Sequence, residues 1–424
     1  MQPYHEYMES AERNRSESEM LKSCRANMDV GAVRVHPFSL SRVIAILSAA
    51  IISLSAFKVS GQDLMGPHPY IKAEIIFGGD LMGHGMQIAA AKDETTGTYS
   101  YQRVFRHIAP ILMSHDAAVA NLEVTLAGAP YTGYPLFSSP VAFAEAARDA
   151  GIGVLTTANN HAVDRGLQGI RSTIKSLDSL SVKHTGTYSD AADRAARVPL
   201  VVEAGGLSLA LLSYTYGTNG IPVPEPAVVN LIDRELIAAD IERAKKMECD
   251  AIVAFMHWGR EYDTMPSPFQ KELAEWLFAE GADIIIGSHP HVIQPVEHIR
   301  SAGSGRDRLV AYSLGNLVSN QRWRRTDGGM LLSIRLSVYG DQLIIERAGY
   351  ILTWVHTPLS SRGRREFEIV PAAHFEKHFE LIGDSSQYNQ MRLFINDSRR
   401  FMGSNAKSID ELRGERLEMI LPCR

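Results

Sequence analysis

The sequence predicts an α/β protein with a hydrophobic segment near its N-terminus and a helical extension at its C-terminus. Three observations support this fold class. From about Ala73 onward, short runs rich in β-formers alternate with amphipathic stretches, as is typical of α/β domains. Polar side chains of the metal-ligand type follow several predicted strands. One uncharged run, residues 43–57, precedes this region.

Composition places the chain among globular proteins. Of its 424 residues, 45% are apolar and 21% are charged, which allows one large core or two ordinary ones. The formal net charge of −5 gives no basic field, so we exclude nucleic-acid binding. The cysteines show neither CxxC nor paired spacing and predict no zinc ribbon or disulfide framework. They are Cys24, Cys249 and Cys423.

The N-terminal region divides into a polar segment, residues 1–42, and a hydrophobic segment, residues 43–57. The hydrophobic run is shorter than the roughly 20 residues that a spanning helix needs, and Arg34 and Arg42 precede it, as in a secretory signal. A cleaved signal and a short membrane anchor both stay open. A buried core helix would show a polar face, which this run lacks. We therefore expect a cell-envelope protein, exported or membrane-anchored by this segment.

The predicted strands are short and largely buried. They cover residues 73–77, 117–120, 154–156, 207–213, 251–256, 283–286 and 309–312. Amphipathic helices are expected after Asp164 and after Phe269, where apolar residues recur at helical spacing. Two later runs flank Gly340 and predict a β-hairpin. After residue 357 the strand pattern is lost, so residues 358–424 are predicted to form a peripheral helical extension.

Ligand-type residues recur where the predicted strands end. Because the carboxyl ends of strands in an open α/β sheet line one crevice, we expect these residues to meet. The ends of five strands carry Asp80 with His84, Asn121 with Glu123, Asn160 with His161, His257 alone, and His289 with His291. A single histidine after a strand is more often a hydrogen-bonded structural residue. The prediction therefore depends on the whole set.

Together these groups predict a site for two divalent metal ions. Carboxylates, an amide oxygen and imidazoles form the mixed ligand set that Zn²⁺, Mn²⁺ or Fe²⁺ accepts. Two cations roughly 3.5–4 Å apart need a bridging carboxylate, and Glu123 is predicted to be that bridge. Asp80 and His291 are predicted to hold one metal. The other metal is assigned to Asn160, His257 and His289. His161, beside a ligand, is predicted to be catalytic by protonating a leaving oxygen.

Six motifs resemble, in order, those of the CapA family, which is named for poly-γ-glutamate capsule biosynthesis. They are GDLM at 79–82, NLE at 121–123, ANNHAVD at 158–164, HWG at 257–259, GSHPH at 287–291 and YSLGN at 312–316. The resemblance implies a calcineurin-like metallophosphoesterase domain over residues 73–357. That fold is a four-layer αββα sandwich with metals at the strand ends. The resemblance also implies a cell-envelope setting.

The first motif departs from the wider phosphoesterase pattern. Where ordinary members have Asp-x-His, Asp80 is followed by Met82, which is a poor ligand for a borderline cation. His84, in the same loop, is a candidate replacement ligand. Asp164 is expected to cap the helix that follows it. Asn316 is expected to support the site or to contact substrate.

Two functions of different classes follow from these predictions. The first is a metal-dependent hydrolase or transferase in capsule biosynthesis, with His161 as general acid and a small phosphorylated or peptidic substrate. The second is a non-catalytic envelope protein that binds, retains or exports an anionic polymer such as poly-γ-glutamate. Capsule-synthesis proteins are expected partners in either case, with the membrane reached through the N-terminal segment.

Overall fold

The structure, a computed structural model, describes residues 71–302, 305–361 and 363–413. The predictions for residues 1–42 and 43–57 lie outside the described residues. Within the described ranges, no helix combines the length and the apolar character needed to cross a membrane.

Strands and helices alternate along the described chain. The strands are β1 (Ile71–Leu81), β2 (Ala117–Leu122), β3 (Val154–Thr156), β4 (Lys183–Thr185), β5 (Thr187–Tyr188), β6 (Leu200–Ala204), β7 (Leu207–Thr215), β8 (Val228–Val229), β9 (Ala251–His257), β10 (Ile284–Ser288), β11 (Val296–Ile299), β12 (Arg308–Ala311), β13 (Asn316–Val318), β14 (Gly328–Tyr339), β15 (Gln342–His356), β16 (Glu368–Pro371), β17 (Ala406–Lys407) and β18 (Asp410–Glu411). The helices are α1 (Gly85–Ala91), α2 (Gln102–Phe105), α3 (Ala109–Met113), α4 (Val141–Asp149), α5 (Gly166–Ser179), α6 (Ala191–Arg197), α7 (Arg234–Lys246), α8 (Pro268–Glu280), α9 (Ala372–Phe375), α10 (Phe379–Ile382) and α11 (Ser385–Asn405).

Two large sheets organise the described residues. Sheet 1 has the order β16-β15-β14-β1-β2-β3-β4, with β13 beside β1 and β18 beside β15. Sheet 2 has the order β17-β11-β12-β10-β9-β7-β6. The strands β1 to β4 run parallel in sheet 1, and β7, β9, β10 and β12 run parallel in sheet 2. Each sheet therefore has a row of strands whose carboxyl ends lie along one edge.

Alternation along the central strands produces four layers. In β1, Ile75 and Phe77 lie in the core between the sheets, whereas Ile76 faces the core beneath α2 to α4. In β9, Phe255 lies in the inter-sheet core, and the Phe77 and Phe255 ring centroids are 5.8 Å apart. The next residue back, Ala254, packs toward α7 and α8. The predicted four-layer αββα sandwich is confirmed.

The segment after residue 357 differs from the predicted peripheral extension. It contributes β16, which pairs antiparallel with β15 in sheet 1. It also contributes α11, whose Met391 and Phe394 are buried in the core between the sheets. The apolar positions of α11 complete that core, so a domain boundary at 357/358 would separate parts of one packed unit.

Candidate metal centre

The polar residues predicted as ligands lie at the edge where the parallel strands of both sheets end. Asp80, near the end of β1, is in register with Asn121 on β2 and Asn316 on β13. On sheet 2, His257 at the end of β9 is in register with Ser288 at the end of β10. One sheet therefore presents carboxylate and amide groups, and the other presents imidazole and hydroxyl groups, at the same edge.

Two glycines allow the strands to approach closely at this edge. A Cβ atom on Gly79 would lie 1.9 Å from the carbonyl oxygen of Gly315, and one on Gly287 would lie 1.9 Å from that of Tyr312. No side chain can be accommodated at such distances, so glycine is required at both positions. The close approach lets the Asp80 N–H donate to the carbonyl oxygen of Gly315 at 3.1 Å. Gly79 directly precedes Asp80, and Gly287 directly precedes Ser288. The close packing at the two glycines therefore determines the backbone position of both polar residues.

Two groups of buried side chains meet at this edge. Asp80, Glu123 and His291 offer ligand atoms within 4.8 Å of one another. Glu123, His257 and His289 form a second such group. The Oε1 atom of Glu123 lies 3.8 Å from Nε2 of His257 and 3.9 Å from Nε2 of His291. Glu123, the residue predicted as the bridge, is therefore shared by both groups.

The carboxylate of Glu123 is buried without a hydrogen bond from the described residues. Its relative exposure is 0%, and within the described part of the chain neither carboxylate oxygen has a hydrogen-bond partner. Burial raises the pKa of Glu123 well above its usual value, and the nearby Asp80 carboxylate raises it further. A carboxylate in this setting gains most from a directly bound cation, because an unpaired buried charge is costly.

The imidazole of His291 has one nitrogen fixed by Asn316. The Asn316 amide donates from Nδ2 to Gln321 Oε1 and to the Thr326 carbonyl oxygen, at 2.9 and 2.8 Å, so its Oδ1 faces the ring. Nδ1 of His291 lies 3.0 Å from that Oδ1 and must donate its proton. The lone pair is then on Nε2, which is directed toward Glu123. This contact leaves Nε2 as the ring nitrogen that could bind a cation.

His257 and Asn160 are directed at a common point. Nε2 of His257 lies 3.0 Å from Oδ1 of Asn160, while Asn160 donates from Nδ2 to Asn219 Oδ1 at 3.2 Å. The other ring nitrogen, Nδ1, lies 2.9 Å from the Ser288 hydroxyl. Burial lowers the pKa of His257 well below its usual value, and the neighbouring His289 lowers it further. The ring is therefore neutral, as a metal ligand must be.

His289 and His291 have unusual backbone conformations. Their φ angles are 96° and 58°, in the left-handed region that ordinary residues adopt only at a cost of roughly 1–3 kcal/mol. The His289 N–H donates to Asp80 Oδ2 at 3.3 Å, which joins the strained loop to sheet 1. Its Nδ1 is buried and has no hydrogen-bond partner among the described residues. Burial, with His291 nearby, lowers the pKa of His289 to about 3.

His161 forms a pair with Asp164 beside these groups. Nδ1 of His161 lies 2.7 Å from Oδ2 of Asp164, and the same oxygen accepts the Phe137 N–H at 2.7 Å. The prediction that Asp164 caps the next helix is wrong. The residue before α5 is Arg165, which has no side-chain cap, because Asp164 is used for contacts with His161 and Phe137 instead.

The first motif does not present a second ligand on this edge. Met82 is buried in the core between sheet 1 and its helices. His84 belongs to neither ligand group of the described residues, since its Nδ1 accepts the Asn320 N–H at 3.2 Å and lies 3.2 Å from Gln87 Oε1. Burial is the main reason that the pKa of His84 falls to about 4, and the nearby His291 contributes. The structure therefore differs from the prediction of His84 as a replacement ligand.

Two residues of the site, Asn121 and Ser288, were given no role from the sequence. Asn121 donates from Nδ2 to Asp80 Oδ1 at 2.8 Å, and Ser288 contacts Nδ1 of His257. Each of them contacts a predicted ligand and orients it, but neither belongs to the two ligand groups of the described residues. Their place at strand ends was a usable signal, but only the register between neighbouring strands identifies what they contact. The donor set as a whole, with two carboxylates, one amide oxygen and three imidazoles, fits divalent cations.

Comparison with known sequences agrees with the motifs. Residues 74–321 match the family described as bacterial capsule synthesis protein PGA_cap. The chain belongs to this family. The matched region is more than half of the chain and contains every residue of the two ligand groups.

Named relatives of this capsule synthesis protein include two from Bacillus. The capsule biosynthesis protein CapA of Bacillus anthracis is 28% identical over 310 residues, covering 70% of this chain and 72% of the relative. The PGA biosynthesis protein CapA of Bacillus subtilis (strain 168) is 29% identical over 276 residues, covering 62% of this chain and 68% of the relative. The predicted CapA resemblance is confirmed.

Two solved structures align with most of the chain. The calcineurin-like phosphoesterase YfkN from Bacillus subtilis has a TM-score of 0.40 and 13% identity, covering 78% of this capsule synthesis protein and 98% of that chain. The NAD nucleotidase NadN of Haemophilus influenzae has a TM-score of 0.42 and 11% identity, covering 83% and 66% of the two chains.

Proposed function

We propose that this capsule synthesis protein is a metal-dependent hydrolase or transferase that acts on a phosphoester. The observation that carries the proposal is Glu123, a fully buried carboxylate shared by two ligand groups, whose oxygens have no hydrogen-bond partner within the described residues. A pair of cations on either side of a shared carboxylate suits phosphoryl transfer, where both the entering and the leaving oxygen need stabilisation.

The ligands are assigned by the two groups. Asp80 and His291 would hold one cation, and Glu123 would bridge to the second. The second cation would be held by Asn160, His257 and His289. Mn²⁺, Fe²⁺ and Zn²⁺ all accept this mixture of oxygen and nitrogen ligands. When bound, the cations would supply Lewis-acid stabilisation of the phosphoryl group.

His161 is proposed as the general acid. Oδ2 of Asp164 accepts the proton on Nδ1, so Nε2 is the nitrogen left to exchange a proton with substrate. The Asp164 carboxylate also stabilises the ring when both nitrogens carry protons. In that state His161 can donate a proton to the leaving oxygen.

The biological setting is proposed from the family and from the names of the relatives. Proteins described as functioning in capsule and PGA biosynthesis match most of the described chain. We therefore propose a role in the cell envelope, together with proteins that make an anionic capsule polymer such as poly-γ-glutamate. Attachment to the membrane or export through residues 43–57 is part of this proposal.

The test combines metal analysis with an assay. The full chain, purified without chelators, is analysed for Mn, Fe and Zn, and its hydrolysis of bis-p-nitrophenyl phosphate is measured with added Mn²⁺. We expect Glu123→Gln to lose bound metal and activity together. His161→Gln is expected to keep its metal while kcat falls about 10²- to 10⁴-fold, the usual contribution of a general acid. His378→Gln, at a histidine that contacts Glu380 and lies outside the site, is the matched control.

Each outcome decides between the two functions. If the protein binds metal but neither the wild type nor any variant has activity above the control without protein, the catalytic proposal is rejected in favour of a binding role. If no transition metal is retained and added Mn²⁺ has no effect, the metal assignment is rejected as well.

A further inference from the structure

Three exposed aromatic side chains border the metal centre, and we refer to Tyr216, Tyr262 and Trp323 as the aromatic rim. They are 46%, 42% and 56% exposed, and none belongs to a hydrophobic core of the described residues. The Tyr216 ring lies 4.6 Å from that of His289, and the Tyr262 ring lies 6.1 Å from that of His291. Tyr216 and Tyr262 therefore flank two of the ligand histidines, and Trp323 lies beside Tyr262.

The rim is held by the same contacts that hold the ligands. Tyr262 has a φ of 69°, an unfavourable conformation for a bulky residue, and its N–H donates to the carbonyl oxygen of Pro290, between the two ligand histidines. The Trp323 carbonyl oxygen accepts the Thr326 N–H at 3.1 Å, and the Thr326 carbonyl oxygen accepts from Asn316, which orients His291. Strained backbone that fixes exposed aromatic rings next to a reactive centre indicates a binding role.

The chemistry of the rim is aromatic and acidic. Tyr216 and Tyr262 each bring a phenol to the rim, and Glu261, an exposed residue directly before Tyr262, brings a carboxylate. A carboxylate here disfavours further negative charge on the bound group but accepts hydrogen bonds from hydroxyls.

The angle between two of the rings restricts the shape of the bound group. Tyr262 and Trp323 have ring centroids 5.7 Å apart and planes at 76°, so they form a corner. A planar base could stack on only one of them. A chair-shaped sugar ring has C–H groups on more than one side, and its hydroxyls match the carboxylate and the phenols.

We propose that the aromatic rim is a sugar subsite, in which a hexose ring of the substrate contacts Tyr262 and Trp323 while its phosphoryl group lies at the metal centre. The inference rests on the proposed phosphoester function and names the substrate class as a hexose phosphate. The group bound at the metal centre is anionic, whereas the group bound at the rim is neutral and hydroxylated.

The test measures binding, so that it does not depend on hydrolysis. The full chain loaded with Mn²⁺ is titrated by calorimetry with a glucose C-phosphonate and with methylphosphonate, which shares the anionic group but lacks the ring. We expect the sugar phosphonate to bind about tenfold more tightly. Trp323→Ala is expected to reduce that ratio to near one, since about tenfold is typical of one lost aromatic stacking contact. Tyr339→Ala, an exposed aromatic at the turn between β14 and β15, is the matched control and should keep the ratio.

Two results would overturn the sugar subsite. One is an equal affinity of the wild type for both phosphonates. The other is tighter binding of a phosphonate that carries a nucleobase or a quaternary ammonium group, which would assign the rim to another ligand class. If the sugar preference holds and depends on Trp323 while no phosphoester is hydrolysed, the subsite stands and only the proposed catalysis fails.

Discussion

Two buried glutamates, Glu123 and Glu368, have similar burial but opposite electrostatic surroundings. Their exposures are 0% and 2%. Burial alone would raise the pKa of Glu368, but the rings of His107 and His356, 3.2 and 3.6 Å from Oε2, and hydrogen bonds from Arg103 and Arg106 hold it well below its usual value. Around Glu123, the described residues supply no such positive charge, and its pKa is raised. The protein neutralises one carboxylate itself, and the other is the carboxylate that we propose to bind a cation.

This difference separates a structural group from a ligand. At Glu368, Arg103 Nε and Arg106 Nη2 lie 2.5 and 2.9 Å from Oε1, which is the geometry of a satisfied ion pair. At Glu123, one imidazole nitrogen of His257 and one of His291 lie 3.8 and 3.9 Å from Oε1. Those distances are too long for hydrogen bonds. They suit Glu123 and each histidine as two ligands of the same ion.

The largest expected effect concerns stabilisation by metal. Saturating Mn²⁺, near 1,000 times its Kd, should raise the free energy of unfolding of the wild type by about 4 kcal/mol. Glu123→Gln should lose most of this increment because the shared ligand is weakened, while Glu368→Gln should retain it. Urea unfolding with Mn²⁺ and with chelator measures both. If Mn²⁺ raised the free energy of unfolding equally in the two variants, Glu123 would not be a metal ligand and the contrast with Glu368 would be rejected.

The second expected effect appears in chelator alone. Glu368→Gln should cost about 2–3 kcal/mol, because it leaves Arg106 without its carboxylate and leaves Arg103 paired with Glu366 alone. This is less than the roughly 3–5 kcal/mol expected for a fully buried pair, because Arg103 and Arg106 are about half exposed. Glu123→Gln should instead be neutral or stabilise by about 1 kcal/mol, since it removes an unpaired buried acid. The sign of the two changes in urea midpoint is the measurement, and equal signs would contradict the interpretation.

The smallest expected effect is a pair of opposite pH slopes, each at most about 1.4 kcal/mol per pH unit per group. The folded-state pKa of Glu368 is depressed, so its stabilisation is present above its ordinary value of 4.5 and is lost as pH falls further. The folded-state pKa of Glu123 is raised, so without metal the folded state loses stability as pH rises through 4.5. Subtracting the curve of each Gln variant from that of the wild type isolates each slope. Slopes of the same sign would be inconsistent with the structure.

The central strands, and the meeting of the candidate ligands at one edge, were predictable for one physical reason. Buried parallel strands require continuous apolar runs, and polar residues that follow such runs must lie at the sheet edge. The strands β4 and β16 were not predicted. They are the two edge strands of sheet 1, and their sequences KHT and EIVP are short and interrupted by polar residues. Edge strands need less apolar sequence, so the pattern weakens there.

The parts of the site that could not be predicted depend on contacts distant in sequence. Asp164 has the sequence of a helix cap, yet its partners include Phe137, 27 residues away. Met82 follows Asp80 by two positions, but only the packed core shows that its side chain leaves the site edge. The packing of α11 into the inter-sheet core could not be predicted either. The sequence of an amphipathic helix shows that one face is buried but does not show which part of the protein covers it.

The two ligand groups draw on both sheets, with Asp80 and Glu123 from sheet 1 and the histidines from sheet 2. Bound cations would therefore link the two sheets at this edge, in addition to the apolar core between them and the hydrogen bond from the His289 N–H to Asp80. Replacing Phe77 or Phe255 by a smaller residue would disturb the packing between the sheets. The ligands on sheet 1 would then move relative to the histidines on sheet 2. We therefore expect the affinity for metal to fall when the packing between the two sheets is disturbed.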